Sequence, residues 1–327
     1  APDLVVSDLT GPTSGVPGQQ VTVTWTVKND GGGTARAVWN DTIYFAPNPN
    51  DMSGAVVLGN VQHRFDLAYG ETYTESATVT LPLGADGSRR IVVVTDASNQ
   101  IYEAGLDGNN SQDITFTYQH PDLAPGAVSL QNADLNSGED AVVSWTVTNN
   151  GTGPALGSWV DSVYLSRDDV LGTGDIKLAS FTHDGPLAAG ASYAQTRNIA
   201  LPLGATGNYK ILVVTDDGRA VPELDGESNN LAAADLRVSL SPYSDLVVGD
   251  VPAPTEAIDN PAAITVGWTV TNNGTGAGRT GTWTDAIIAS GNATLGDSDD
   301  IVLGTMQHTG GLQAGESYSV SQRVFFA

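Results

Sequence analysis

Between residues 20 and 29 the chain alternates strictly, with Val21, Val23, Trp25 and Val27 in one phase and Thr22, Thr24 and Thr26 in the other. Successive side chains of a strand point to opposite faces, so this period of two predicts a β-strand with one buried and one wet face. The pattern returns with Val143, Trp145 and Val147, and again with Ile264, Val266, Trp268 and Val270. Each copy runs into the same ending. "WTVTNNGTG" stands at 145–153 and, unchanged, at 268–276, with the looser "WTVKNDGGG" at 25–33. Asn-Asn-Gly and Asn-Asp-Gly tolerate positive φ and are read as the turn that closes the strand.

Further short motifs follow in a fixed order. A Trp with an Asp two places on occurs as Trp39 and Asp41, Trp159 and Asp161, and Trp283 and Asp285. Next come His63, His183 and His308, then Leu-x-x-Gly-x-x-Tyr ending at Tyr73, Tyr193 and Tyr318. The first two copies continue with "LPLGA", an apolar "IVVVTD" or "ILVVTD" and a closing Asn-Asn at 109–110 and 229–230. No window carries a 3.6-residue apolar period. About seven short strands in each ~120 residues, separated by turn signals, predict an all-β chain of tandem immunoglobulin-like sandwiches. The repeats are placed at 1–119, 120–242 and 243–327. Aligned on their tyrosines, Ala327 stands where Pro202 stands in the second repeat, so nothing in the third matches 203–239. The third repeat is therefore read as truncated before its last two strands. This predicts that the natural protein continues past Ala327, or that a neighbouring molecule donates the strands.

The opening Asp-Leu of each repeat, "VTVTWTVKNDG", Trp-x-Asp-x-x-Tyr, Leu-x-x-Gly-x-x-Tyr, Leu-Pro-x-Gly and the acidic stretch ending in Asn-Asn resemble the cell-adhesion-related domain found in bacteria (CARDB). The resemblance spans all three repeats. It implies an immunoglobulin-like sandwich, used in tandem in large secreted and surface proteins for adhesion or spacing. It supplies no catalytic residues.

Composition narrows the partners. Charged residues are 15% of the chain, below the roughly 25% of ordinary soluble proteins, and net charge is −24 with three lysines, Lys28, Lys177 and Lys210. Such a field repels phosphate backbones and anionic lipid, which excludes nucleic acid and membrane surfaces as partners and attracts cations. The absence of cysteine removes disulfides and thiolate chemistry. No apolar run of about 18 residues predicts membrane insertion.

Several segments invite chemistry. "GAGRTG" at 276–281 fits Gly-x-Gly-x-x-Gly but leads into a predicted strand, not the helix a dinucleotide requires. The three repeated histidines lie a repeat apart, so they are read as half-buried residues bonded to backbone, and His120 in the linker as solvated. Trp39, Trp159 and Trp283 stand near a turn and could stack on sugar rings, whereas Trp25, Trp145 and Trp268 are core. The acidic loops are candidates for Ca²⁺, which takes hard oxygen ligands. One group is Asp168, Asp169 and Asp175; its counterpart is Asp297, Asp299 and Asp300. A second kind of cluster, at one pole of the sandwich, comprises Asp161, Asp216, Glu223 and Glu227, mirrored by Asp41, Asp96, Glu103 and Asp107. The competing reading is that these side chains cap turns.

These observations favour a non-catalytic extracellular or cell-surface chain whose repeats adhere or act as spacers, with other protein domains or a cell-surface ligand as partners. The alternatives are a carbohydrate- or peptide-binding accessory module of a secreted enzyme, and a subunit of a surface layer or filament. An exposed row of Trp39, Trp159 and Trp283 would favour the accessory module.

Overall fold

A computed structural model describes all residues except 37, 49–50, 85, 225, 257–261, 278–280 and 327, and of Phe326 it describes the backbone alone. It separates into two compact units, residues 1–239 and residues 240–327. The first unit holds two hydrophobic cores, one built from residues up to Tyr118 and one from Leu123 onward.

In the first core, the alternating strand Gln20–Asn29 lies between Leu4–Thr10 and Thr72–Thr80. It shares a core with a five-stranded sheet ordered Ser14–Gly15, Ser111–Tyr118, Gly87–Val94, Trp39–Ala46 and Val56–His63. Val21, Val23, Trp25 and Val27 are buried. Full burial stabilises by about 1.5–3 kcal/mol per large apolar side chain. On the other face Thr22 pairs with Thr78 at 3.0 Å and Thr26 with Thr74 at 2.9 Å. The two phases of the sequence pattern thus become a core face and a hydroxyl ladder.

The second core repeats the plan. Asp140–Asn149 pairs with Ser192–Ala200 on one edge, and with Ser129–Leu130 and Leu123–Pro125 on the other. The facing sheet runs Asp134–Asn136, Leu231–Ser239, Gly207–Val214, Ser158–Ser166, Ile176–Asp184. The apolar Ile91–Val93 and Ile211–Val214 occupy the middle strand of their sheets and are buried on both faces. That is why these segments read as continuous apolar runs and not as alternation. Helix among the described residues is confined to single turns at Asp107–Asn109 and Gly226–Ser228.

In residues 240–327, Ala262–Asn272 lies between Leu246–Gly249 and Ser317–Phe326. The second sheet has two strands among the described residues, Thr282–Ala289 and Ile301–Thr309. Val266, Trp268, Val270, Ile287 and Val324 form its core, a far smaller set than in the first two repeats.

The Asn-Asn-Gly segments do a different job from the one expected. None of residues 29–33, 149–153 or 272–276 has positive φ. Instead the glycine lies against the chain entering its repeat: a Cβ on Gly151 would stand 2.3 Å from the His120 carbonyl oxygen, and one on Gly274 2.2 Å from that of Tyr243. The buried Asn149 fastens the same crossing. Its Oδ1 accepts from Asp122 N and Gly151 N, both at 3.0 Å, and its Nδ2 donates to Gly153 O and Leu187 O, both at 2.9 Å. Asn29 and Asn272 make the equivalent four bonds. The nonapeptide recurs because each repeat needs both a core strand and a clasp for its own first segment.

Candidate functional site

The Trp-x-Asp motif builds a buried knot. Asp41 accepts hydrogen bonds from Trp25 Nε1 at 2.7 Å, Tyr73 OH at 2.8 Å and Thr95 Oγ1 at 2.7 Å, while Trp39 Nε1 donates to Tyr73 OH at 3.0 Å. Asp161 repeats this with Trp145 at 3.0 Å, Tyr193 at 2.8 Å and Thr215 at 2.7 Å. Burial pushes the Asp41 carboxyl above its ordinary value, against the bonds from Trp25, Thr95 and Tyr73. Burial also pushes the Tyr73 and Tyr193 hydroxyls far up, and that of Tyr318 to about 12, so all three remain neutral donors.

The histidines complete the knot by stacking, not by the backbone bonds expected from their position. His63 lies 4.3 Å from the Trp39 ring and 3.9 Å from Tyr73; His183 and His308 are sandwiched in the same way. Trp39 and Trp159 are 0% and 1% exposed, so neither presents a ring to a sugar; Trp283 is half-buried.

The polar acidic residues are engaged in fastening loops. Asp96 accepts from Gln100 N and Ile101 N at 2.7 Å, and Asp216 from Ala220 N at 2.8 Å and Val221 N at 2.9 Å. Glu103 receives Leu4 N and Asn110 Nδ2; Glu223 receives Leu123 N at 2.6 Å. Each Glu thereby ties the first strand of its repeat to the closing loop. Burial pushes Asp96, Glu103 and Asp216 upward and Glu223 up to about 7. Glu227 pairs with Arg219 at 3.1 Å. Asp161, in the knot, spends its oxygens on Trp145, Tyr193 and Thr215.

The loop clusters differ from one another. Asp168 accepts from Val170 N at 3.0 Å and Asp175 from Gly172 N at 2.7 Å, as turn caps, and Asp169 is exposed. Asp297, Asp299 and Asp300 do converge: one oxygen from each lies within 4.8 Å of the others, which no other acidic trio does among the described residues. Asn292 Nδ2 donates to Asp297 and Asp299, and Gly296 N to Asp300. The Asp299 bond, followed by Asn292, holds the Asp297 carboxyl below its ordinary value. Asp300 Oδ1 is shielded from water and has no hydrogen-bond partner among the described residues. Of "GAGRTG", residues 278–280 lie outside the described residues.

The linker holds a feature that sequence reasoning missed. His120 is not solvated but 5% exposed. Its Nδ1 bonds Asp86 Oδ1, its ring packs edge-on to Tyr118 at 5.0 Å, and its N–H donates to Thr152 Oγ1 at 3.2 Å. Thr152 Oγ1 donates to Asp86 Oδ2 at 2.5 Å, and Gln119 Nε2 to Thr152 O at 2.7 Å. Asp86 belongs to the first repeat and Thr152 to the second nonapeptide, so His120 is trapped where the two meet. Burial raises the Asp86 carboxyl, but the His120 and Thr152 bonds outweigh it, and its pKa lies below the ordinary value. A second patch joins Val16, Pro17 and Gly18 to Pro154, Leu156 and Pro222 around about 290 Å³ of open space. A Cβ on Gly153 would come within 2.6 Å of Val16 Cγ1. No helix among the described residues is long and apolar enough to cross a membrane.

Comparison with known proteins gives a family match and distant structural neighbours. No curated protein matches the chain. The crystal structure of a CARDB domain from Pyrococcus furiosus, in complex with di-metal ions, is 20% identical, covers 36% of this chain and 93% of its own, and has a TM-score of 0.28. The solution structure of that domain gives 21% identity, 36% and 94% coverage, and 0.28. Red sea bream transglutaminase gives 15% identity, 73% and 31% coverage, and 0.26. The family model for CARDB matches residues 1–113 and 120–234, more than half of the sequence. On that match the chain belongs to the CARDB family.

Proposed function

We propose that this chain is a non-catalytic adhesion or spacing segment of an extracellular or cell-surface protein, with repeats 1–119 and 120–242 acting as one stiff element. The observation that carries the reading is the joint. The linker residues Gln119–Leu123 are hydrogen-bonded on both sides, through Asp86, Thr152, Asn149, Asn229 and Glu223. Segments so fastened transmit position from one repeat to the next, which is what spacing a ligand from a surface requires. Other protein domains or a cell-surface ligand are its partners. Titration with soluble cell-wall glycans, followed by tryptophan fluorescence, separates this from the accessory-module reading. The spacer shows no saturable change; a saturable change abolished by Trp283→Ala would assign the chain to carbohydrate binding.

Calcium is the cation that suits the Asp297, Asp299 and Asp300 cluster, since three hard carboxylates converge there and Asp300 Oδ1 has no partner among the described residues. Millimolar calcium then raises the melting temperature of the chain relative to EDTA by mass action. Asp299→Asn removes the difference; coincident curves for the unsubstituted protein rule the site out.

A further inference from the structure

The clasps hold the only two Asn-Gly pairs of the sequence, Asn150-Gly151 and Asn273-Gly274. Asn-Gly is the dipeptide most prone to lose ammonia, because glycine has no Cβ to hinder attack of its nitrogen on the preceding side chain. Packing leaves the fold no freedom to escape this by changing the glycine. A Cβ at Gly151 or Gly274 would lie 2.3 or 2.2 Å from a carbonyl oxygen of the chain entering the repeat. Asn150 and Asn273 are both exposed, so their side chains meet water. What differs from an unfolded Asn-Gly pair is the state of the nitrogen. The Gly151 N–H donates to Asn149 Oδ1 at 3.0 Å, and the Gly274 N–H to Asn272 Oδ1 at 2.9 Å. The flanking amides are pinned as well: Asn150 N donates to Asp122 O at 2.7 Å, and Thr152 N and Gly153 N to His120 O at 2.8 and 2.9 Å. Asn273 N donates likewise to Asp245 O at 2.7 Å, and Thr275 N and Gly276 N to Tyr243 O at 2.9 and 3.0 Å. In the first repeat Asp30 replaces the exposed asparagine, and the Gly31 N–H donates to Asn29 Oδ1 at 3.2 Å.

We propose that Asn150 and Asn273 are modification sites gated by the clasp, deamidating only when the buried Asn149 or Asn272 releases the N–H of the following glycine. In the step itself the Gly151 nitrogen bonds to Cγ of Asn150, the Cγ–Nδ2 bond breaks, and the displaced proton leaves with Nδ2 as ammonia. Water then opens the resulting succinimide at one of its two carbonyls, leaving aspartate or isoaspartate at position 150. While the clasp is closed, Asn149 Oδ1 holds the proton that must leave. The four consecutive N–H groups of 150–153, all engaged, also fix the backbone against the rotation that ring closure needs. Reaction therefore proceeds from the locally opened state, whose population sets the rate. The isoaspartate product carries one extra carbon in the main chain between the nitrogens of 150 and 151, and a new negative charge. Those two N–H groups are then wrongly spaced to reach Asp122 O and Asn149 Oδ1 together, so the clasp cannot close again. A transient opening is thereby made permanent.

The test ages the full 327-residue chain and a synthetic peptide of residues 145–154, WTVTNNGTGP, side by side in mildly alkaline buffer. Peptide mass spectrometry reads conversion at Asn150 and Asn273, and hydrogen exchange reads the amides of Gly151 and Gly274. In the folded chain Asn150 should convert at least about tenfold more slowly than in the peptide, with Gly151 exchange slowed by a similar factor. Asn149→Ala, with the second repeat still folded, should bring the Asn150 rate toward that of the peptide and leave Asn273 unchanged. Equal rates at Asn150 in the folded chain and the peptide overturn the proposal. So does slow Gly151 exchange beside fast conversion, or a rate unmoved by Asn149→Ala in a folded repeat, since the bond to Asn149 would then not be the gate. If Asn149→Ala does not fold, the comparison of the folded parent chain with the peptide decides alone.

Discussion

Replacing Asp161 distinguishes geometry from charge in the aromatic knot. The residue is 1% exposed and accepts three bonds, from an indole N–H and two hydroxyls. In Asp161→Ala all three donors lose their acceptor. Tyr193 and Thr215 can rotate their hydroxyls toward other partners, but the Trp145 indole N–H is fixed by its ring. With about 1–3 kcal/mol for each buried donor left unpaired, and partial relief for the two hydroxyls, the loss is about 3–5 kcal/mol. That is a large share of the ~5–15 kcal/mol that holds an ordinary domain together. Asp161→Asn behaves differently. Its amide oxygen can keep the Trp145 and Tyr193 bonds, and its NH₂ can donate to Thr215 Oγ1 once that hydroxyl turns. What disappears is the charge assistance, worth about 1–2 kcal/mol. Urea unfolding followed by tryptophan fluorescence resolves the two, with the second-repeat transition recognised as the one that moves. Equal losses for Ala and Asn would show that charge, not hydrogen bonding, holds the knot. A loss below about 1 kcal/mol for Ala would show that the knot does not hold the repeat.

Other consequences are open to measurement. Trp145→Ala should cost about 3–5 kcal/mol, whereas a change at the exposed Thr146 should cost under about 0.5 kcal/mol; similar losses would mean the strand phase is wrong. The pKa of Glu223 is raised to about 7, so its contribution to stability is full below its ordinary value near 4.5 and is lost as pH rises through 7. Glu223→Gln should therefore flatten the melting temperature between pH 5 and 8, and an unchanged slope would place that titration elsewhere. Gly151→Ala forces a Cβ onto the His120 carbonyl and should cost at least about 1–3 kcal/mol; a neutral outcome would show that the clasp yields freely.

Much of the strand framework could be read in the chain because period-two alternation is imposed by the pleat itself. Trp25 and Trp145 went to the core with their valines, and Thr22 and Thr26 to the hydroxyl ladder. The middle strands were legible for the opposite reason, since burial on both faces leaves Ile91–Val93 no polar position. Contacts made by tertiary approach were not legible. Nothing local marks His120 as buried, because Asp86 and Thr152 reach it from 34 and 32 residues away. The role of Gly151 was hidden likewise, since a glycine required for close approach looks the same as one required for positive φ. The acidic pole was ambiguous for an electrostatic reason. Carboxylates that accept backbone N–H groups at a loop and carboxylates that await a cation use the same residues at the same spacing.

The stiffness of the joint is the central claim, and the cysteine-free chain allows it to be measured directly. Spin labels at Ser76→Cys and Thr146→Cys, both exposed strand positions in different repeats, report one distance across the joint by pulsed electron resonance. A narrow distribution that broadens on Asp86→Ala, with each repeat still folded, is the result this account requires. A distribution already broad in the parent protein, or one unmoved by Asp86→Ala, would contradict it.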